Sequence, residues 1–216
     1  MFKDRKEGGE KLAVVLQKYR NQNVLVLGIP RGGVETAYYV ARDLDADLAV
    51  VVTRKLGYPF NPEAAFGAIA EDGSLYIFDE ARTSLPPEII QSVVDRERKE
   101  ITRRINKLRK GKPLPPIKGR TVIIVDDGIA TGATLLATIE LCKKQGAGKI
   151  VVAAPVGGEH MMRSLRKKVD EVVILNIPHN YYAVSQGYYS FGNVDDDTVV
   201  HLLEKWEAEH NHPVLS

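Results

Sequence analysis

A single cysteine, Cys142, leaves the chain unable to form an internal disulfide, so a reducing compartment, the cytoplasm, is expected. Aromatic residues are sparse at 7%, and there is no surplus of charge: 30 Lys and Arg stand against 28 Asp and Glu. That balance excludes the strong global basic field that sequence-independent nucleic-acid binding relies on. The longest aliphatic stretch is Leu48–Val52, far below the ~20 residues of a membrane span, so no membrane partner is expected. The opening M-F-K-D-R-K-E-G-G is too polar for a secretory signal. Internal repeats and low-complexity segments are also missing. What is present, 216 residues of which 44% are hydrophobic, fits an enzyme or binding protein built as one domain over residues 1–216.

Five short aliphatic runs alternate with helical periodicity: V-L-V-L-G at 24–28, L-A-V-V-V-T at 48–53, T-V-I-I-V-D at 121–126, I-V-V-A-A-P at 150–155 and V-V-I-L-N-I at 172–177. Each is almost wholly apolar, as strands covered on both faces are, and the alternation predicts an α/β fold with a mainly parallel central sheet flanked by helices. Val34, Ala37, Ala41 and Leu44 mark one covering helix, and Leu135, Ile139 and Cys142 another that ends at Gly146. Cys142 is therefore a core residue and not a nucleophile. F-G-A-I-A at 66–70 and L-Y-I-F at 75–78, with E-D-G-S between, read as a hairpin. Residues 84–119 form a charged helical insertion opened by Pro86 and Pro87. Its helix carries Ile90, Val94, Ile101, Ile105 and Leu108 on one face, with Asp95–Lys99 and Glu100–Arg104 as four-apart pairs. Nine basic residues between Arg96 and Lys112 face two acids there, which reads as a solvated helix surface in preference to a nucleic-acid site.

The chemistry concentrates in V-I-I-V-D-D-G-I-A-T-G-A-T at 122–134. A buried strand ends in two carboxylates and passes through a Gly- and Thr-bearing loop into a helix. Backbone N–H groups at such a turn, reinforced by the helix dipole, form an anion cradle. Gly128 and Gly132 permit close backbone approach, Thr131 and Thr134 offer hydroxyls, and Asp126 and Asp127 supply acceptors for sugar hydroxyls or a divalent cation. A phosphate cradle beside two diol acceptors describes a ribose-5-phosphate pocket. The segment is neither a Walker loop nor a dinucleotide turn. Because adjacent functional carboxylates repel, Asp127→Asn is expected to weaken ligand binding while leaving stability unchanged or raised.

This segment resembles the phosphoribosyl-pyrophosphate (PRPP) loop of the type I phosphoribosyltransferases. The resemblance implies that fold, with a small hood, here drawn from residues 1–20 and 177–216. It implies that Asp126 and Asp127 hold the ribose hydroxyls and Mg²⁺, and that Gly128, Ile129, Ala130, Thr131, Gly132, Ala133 and Thr134 hold the 5′-phosphate. It also places I-P-R-G-G at 29–33 as the pyrophosphate loop, with Arg31, Gly32 and Gly33 gripping the leaving group and a cis bond between Pro30 and Arg31. T-R-K-L-G-Y-P-F-N-P-E at 53–63 falls where the family has a mobile catalytic loop, with Arg54 and Lys55 as pyrophosphate ligands and catalytic residues beside Asp126 and Asp127. I-P-H-N-Y-Y-A-V-S-Q-G-Y-Y-S-F at 177–191 takes the place of the acceptor-binding segment, which gives Tyr182 and Ala183 to the acceptor. Ala130 stands where the 6-oxopurine enzymes carry an acid, so the expected acceptor is a nitrogen nucleophile, a nucleobase other than a 6-oxopurine.

The expected reaction moves ribose 5-phosphate from PRPP to that acceptor with Mg²⁺ and releases pyrophosphate, a step of nucleotide metabolism. A non-catalytic PRPP-sensing regulator that binds nucleic acid or a protein is the alternative, and a homodimer is compatible with either. His210 and His212 fall in a polar tail with no H-x-x-x-H pairing, so no zinc site is expected. Val199, Leu203 and Trp206 predict the inner face of a last helix begun by Asp195–Asp197.

Overall fold

Residues 1–210 are described by a computed structural model. The chain opens with α1 (Arg5–Val15), which starts at Asp4, whose carboxylate accepts the Glu7 N–H over 2.9 Å and satisfies one free donor of the first turn. β1 (Val24–Gly28) leads directly into α2 (Gly32–Leu44), followed by β2 (Asp47–Val50). After a long excursion the sheet resumes with β6 (Thr121–Val125), α5 (Ala133–Lys144), β7 (Lys149–Val156), α6 (Glu159–Leu165) and β8 (Glu171–Asn176). These five strands form one all-parallel sheet in the order β2-β1-β6-β7-β8.

The apolar runs are unbroken because both faces of the sheet are covered. Val24, Val26, Ile123, Val125, Val151 and Ala153 pack with Leu12 of α1, Leu16 just after it, and Ala37 and Ala41 of α2. Their alternate neighbours Leu25, Leu27, Val122, Ile124 and Val152 pack with Leu135, Ile139 and Cys142 of α5. Burial pushes the Cys142 thiol up to about 12, which leaves it inert as a nucleophile.

The excursion builds a second, antiparallel sheet: β3 (Thr53–Tyr58), β4 (Asn61–Ala70) and β5 (Leu75–Ile77). The 66–78 hairpin lies where the sequence places it, with Ile69 opposite Leu75 and Gly73 turning at φ +85°. Residues 53–63 differ from expectation. Instead of a loop they form β3 and the start of β4, paired from Thr53↔Ala70 to Tyr58↔Asn61. Leu56 and Phe66 bury fully, and Gly57 lets the strands close, since a Cβ there would lie 2.6 Å from the Pro62 carbonyl oxygen. The register shifts on both sides of Gly57, so the strand pair is bulged there.

α3 (Asp79–Ser84) and α4 (Pro87–Arg109) follow, Pro87 occupying the first helical turn of α4, where its missing N–H costs nothing. Val93, Val94, Ile101 and Leu108 of α4 pack into one cluster with Leu56, Phe66 and Val199. The Asp95–Lys99 pair does not form; Asp95 meets Arg98 and accepts from Gln91 instead. α7 (Asp196–His210) is capped by Asp195, which accepts the Thr198 N–H over 2.7 Å. It packs on α2 and α4, with Val199 buried. His210 belongs to this helix, its ring stacked on Trp206, while His212 lies outside the described residues. α1 lies on α2 and β7, and the residues at its start meet the 181–192 segment: the Phe2 carbonyl accepts the Tyr189 N–H and the Lys3 carbonyl the Ser190 N–H, each over 2.9 Å, while Arg5 donates to the Gly192 carbonyl. No helix among the described residues is long and apolar enough to cross a membrane.

Candidate functional site: a phosphate-sugar cleft

β1 and β6 are neighbours, yet the chain leaves β1 for α2 on one face and β6 for α5 on the other. The loops at their C-terminal ends therefore diverge and open a crevice, the usual ligand position in an open parallel sheet. It is a cleft of about 260 Å³ lined by Arg31, Gly32, Lys55, Asp126 to Gly132, Thr134 and Val184.

The 126–134 loop is anchored near its middle. The Ile129 N–H donates to the Val156 carbonyl over 2.9 Å, and the Gly158 N–H donates back to Ile129. Around that anchor, the N–H groups of Gly128, Ala130, Thr131 and Gly132 have no protein acceptor among the described residues. They lie on the approach to α5, where Gly132 takes φ +70° to begin the helix. Free amides at a helix N-terminus, flanked by Thr131 and Thr134, suit a phosphate group.

Across the cleft the peptide bond joining Pro30 to Arg31 is cis. Arg31 is exposed and Gly32 presses on the acids: a Cβ there would lie 1.9 Å from Asp127 Oδ2. Asp126 is partly buried, and its Oδ1 accepts the Asp127 N–H over 2.9 Å. Burial, and next the charge of Asp127, raise its carboxyl well above the usual range.

Asp127 is not a free acceptor. Arg5 Nε donates to its Oδ2 over 2.7 Å, and Tyr188 donates its hydroxyl to the Asp127 carbonyl. The Arg5 guanidinium also donates to the Gly192 carbonyl over 2.7 Å and lies 3.9 Å above the Phe191 ring. The repelling pair assumed in the sequence analysis is thus half-neutralised from α1. Glu35, 3.7 Å from Arg5, has a carboxyl raised chiefly by burial.

The remaining assigned residues divide. Lys55 lines the cleft, but Arg54 turns away, its Nε on Glu97 Oε2 at 2.9 Å, and faces an adjoining pocket. Tyr182 is 83% exposed, and neither it nor Ala183 lines the cleft. Gln186 explains this, because its Oε1 accepts both the Tyr182 and the Ala183 N–H and turns that peptide outward. Val184 takes the lining position, and Tyr181 packs beside Gly128 with its hydroxyl buried and unpaired.

Arg5, Val184 and Tyr188 escaped sequence reasoning. A signal for Arg5 exists: it stands four and seven residues before Gly9 and Leu12, on the face α1 buries.

A cleft with free backbone amides and a carboxylate pair at the strand ends of a parallel α/β sheet is the class of site these observations define. A model of the phosphoribosyl transferase domain matches residues 5–190. A Mycobacterium tuberculosis protein named "Putative phosphoribosyl transferase" is 42% identical over 207 residues, covering 95% of this chain and 47% of that one. The crystal structure of TT1426 from Thermus thermophilus superposes with a TM-score of 0.82 at 38% identity, over 95% of this chain and 98% of that one. A ribose-phosphate pyrophosphokinase of Pyrococcus furiosus matches over 62 residues only, at 44% identity, covering 28% of this chain and 22% of that one. The chain belongs to the phosphoribosyl transferase family. It spans about half the length of the curated mycobacterial relatives it matches.

Proposed function

We propose that this protein binds PRPP in the cleft and transfers its ribose 5-phosphate to a nitrogen acceptor, displacing pyrophosphate at C1 with inversion. The observation that carries this reading is the set of free amides at Gly128, Ala130, Thr131 and Gly132 beside the Asp126–Asp127 pair. In this reading those amides and the hydroxyls of Thr131 and Thr134 take the 5′-phosphate. Asp126 and Asp127 accept from the ribose hydroxyls, and Arg31, Gly32, Gly33 and Lys55 take the pyrophosphate. The barrier is charge separation at C1, so cations already placed around the leaving group lower it, while the phosphate loop fixes the sugar.

No group of three or more His, Cys, Asp or Glu residues able to hold a resident metal occurs among the described residues. The two carboxylates do fit Mg²⁺ that arrives with PRPP, because Mg²⁺ keeps several waters and takes one or two carboxylates plus substrate phosphates. The charge of Asp127, which adds to burial in raising the Asp126 carboxyl, is one that a cation would offset. Asp126 and Asp127 would hold the ion, and it would supply charge neutralisation on the departing pyrophosphate.

We place the acceptor against Val184 and Ala130 at the open end of the cleft. Ala130 offers no acid to protonate a ring nitrogen, which favours an acceptor other than a 6-oxopurine. The test is pyrophosphate release from PRPP and Mg²⁺ with a panel of nucleobases. Release with one base and none without it supports transfer. Tight PRPP binding without turnover of any base returns the protein to the sensor class.

A further inference from the structure

The basic helix α4 has no role in the cleft, yet its residues meet the cleft at one place. A second pocket of about 340 Å³ adjoins the first, sharing Pro30, Lys55 and Thr134 with it. Its remaining polar walls are Thr53 and Arg54 of β3 and Arg96, Glu97 and Arg104 of α4. Four cationic side chains thus share the lining of this pocket with one carboxylate.

The way that carboxylate is used matters more than the count. Glu97 is buried, and it binds two guanidinium groups at once: Arg54 Nε at 2.9 Å on Oε2 and Arg96 Nε at 3.0 Å on Oε1. Both arginines are held by Nε alone. Their terminal Nη1 and Nη2 groups make no hydrogen bond among the described residues. Glu97 therefore orients two forks and leaves the ends that suit phosphate oxygens free. Arg104, 12% exposed at its side chain, is steadied by Asp196 at 3.1 Å, and its buried Nε lies 3.8 Å from Glu100 Oε1 without a hydrogen-bond partner. Lys55 has no ion pair among the described residues, and it stands in both pockets.

Resting on the cleft being the PRPP site, we propose that Arg54, Arg96 and Arg104, set by Glu97, form an anion subsite contiguous with its pyrophosphate end. The subsite takes phosphate-class oxyanions. α4 joins the binding surface through it, and Arg96 and Arg104 become specificity residues. Two sources can supply such a group: the pyrophosphoryl arm of PRPP itself, or a second phosphate-bearing molecule seated beside it.

The experiment is titration calorimetry in constant Mg²⁺ with inorganic pyrophosphate, ribose 5-phosphate and PRPP. It uses the full chain, Arg96→Gln, and Arg98→Gln as a control on the same helix but outside the pocket. Arg96 is 63% exposed at its side chain, so its variant is expected to fold. Loss of one charge-assisted contact predicts pyrophosphate affinity weakened about tenfold in Arg96→Gln. Ribose 5-phosphate affinity is expected to stay level, and Arg98→Gln to match the parent in both. Unchanged pyrophosphate affinity in Arg96→Gln, or an equal loss for ribose 5-phosphate, overturns the subsite. Titrating pyrophosphate into PRPP-saturated protein separates the sources. A further binding event that Arg96→Gln abolishes assigns a second molecule, and weakened PRPP binding without such an event assigns the pyrophosphoryl arm. A parent that binds pyrophosphate but neither PRPP nor ribose 5-phosphate would refute the proposed function while leaving the anion subsite standing.

Discussion

Arg5 Nε donates to Asp127 Oδ2 over 2.7 Å, with the two side chains only 7% and 12% exposed. An ion pair this far from water is costly to break on one side, because the surviving charge stays buried and unpaired. Arg5→Gln is expected to lose about 3–5 kcal/mol of stability. Asp127→Asn destabilises by a smaller amount, since the amide oxygen still accepts from Arg5. This reverses the sequence-based expectation of unchanged or raised stability. Urea unfolding followed by circular dichroism decides it, and an Arg5→Gln midpoint equal to the parent's would refute a stabilising pair.

Asp126 gives a pH signature. Its folded-state pKa is raised, first by burial and then by Asp127. A carboxyl raised on folding favours the native state fully below its unfolded value, about 4, and that contribution is lost as pH rises through the folded value. Asp126→Asn keeps the acceptor for the Asp127 N–H without the charge. In Mg²⁺-free buffer the variant is therefore expected to gain on the parent between pH 4 and neutrality and to converge with it below pH 4. A stability difference that does not change with pH would contradict the raised carboxyl.

Gly32 is a position where no side chain fits. A Cβ would lie 1.9 Å from Asp127 Oδ2 and 2.8 Å from Arg5 Nε. Gly32→Ala must push the acid aside or displace the 29–33 turn, at a cost of roughly 1–3 kcal/mol. PRPP affinity is expected to fall with it. Calorimetry showing parental PRPP affinity in a folded Gly32→Ala protein would remove Gly32 from the site.

The acceptor end separates Tyr182 from Val184. With Tyr182 in solvent, Tyr182→Ala is expected to leave acceptor KM within about twofold of the parent, a change below that of one lost apolar contact. Val184→Phe narrows the cleft and is expected to raise acceptor KM about tenfold. Steady-state kinetics with the best acceptor distinguish them, and the opposite ranking would restore Tyr182 as the stacking residue.

The central sheet was legible because each of its strands is a short apolar run, and the phosphate loop because its residue types follow one another along the chain. Legibility failed where the determinant is a contact between distant segments. Residues 53–63 carry Gly57, two prolines and few aliphatics, a loop-like composition, yet Leu56 closes against Phe66 and makes them a hairpin. Tyr182 has the residue type of a base-stacking platform, but Gln186 turns its backbone outward. Arg5 is one cation among 30 in the chain, and only the folding of α1 onto α2 brings it to Asp127.

The adjacency of β1 and β6 has a kinetic consequence. Val24 pairs with Thr121 and Gly28 with Val125, so the two strands that frame the cleft are separated by the entire second sheet and α4. Closing so long a loop costs entropy before any pairing compensates it, and contacts of high sequence separation form slowly. During synthesis β1 emerges with β2 as its only parallel neighbour and waits for β6. The cleft is therefore completed late in folding, which makes ligand binding a reporter of the finished molecule and leaves earlier intermediates blind to it.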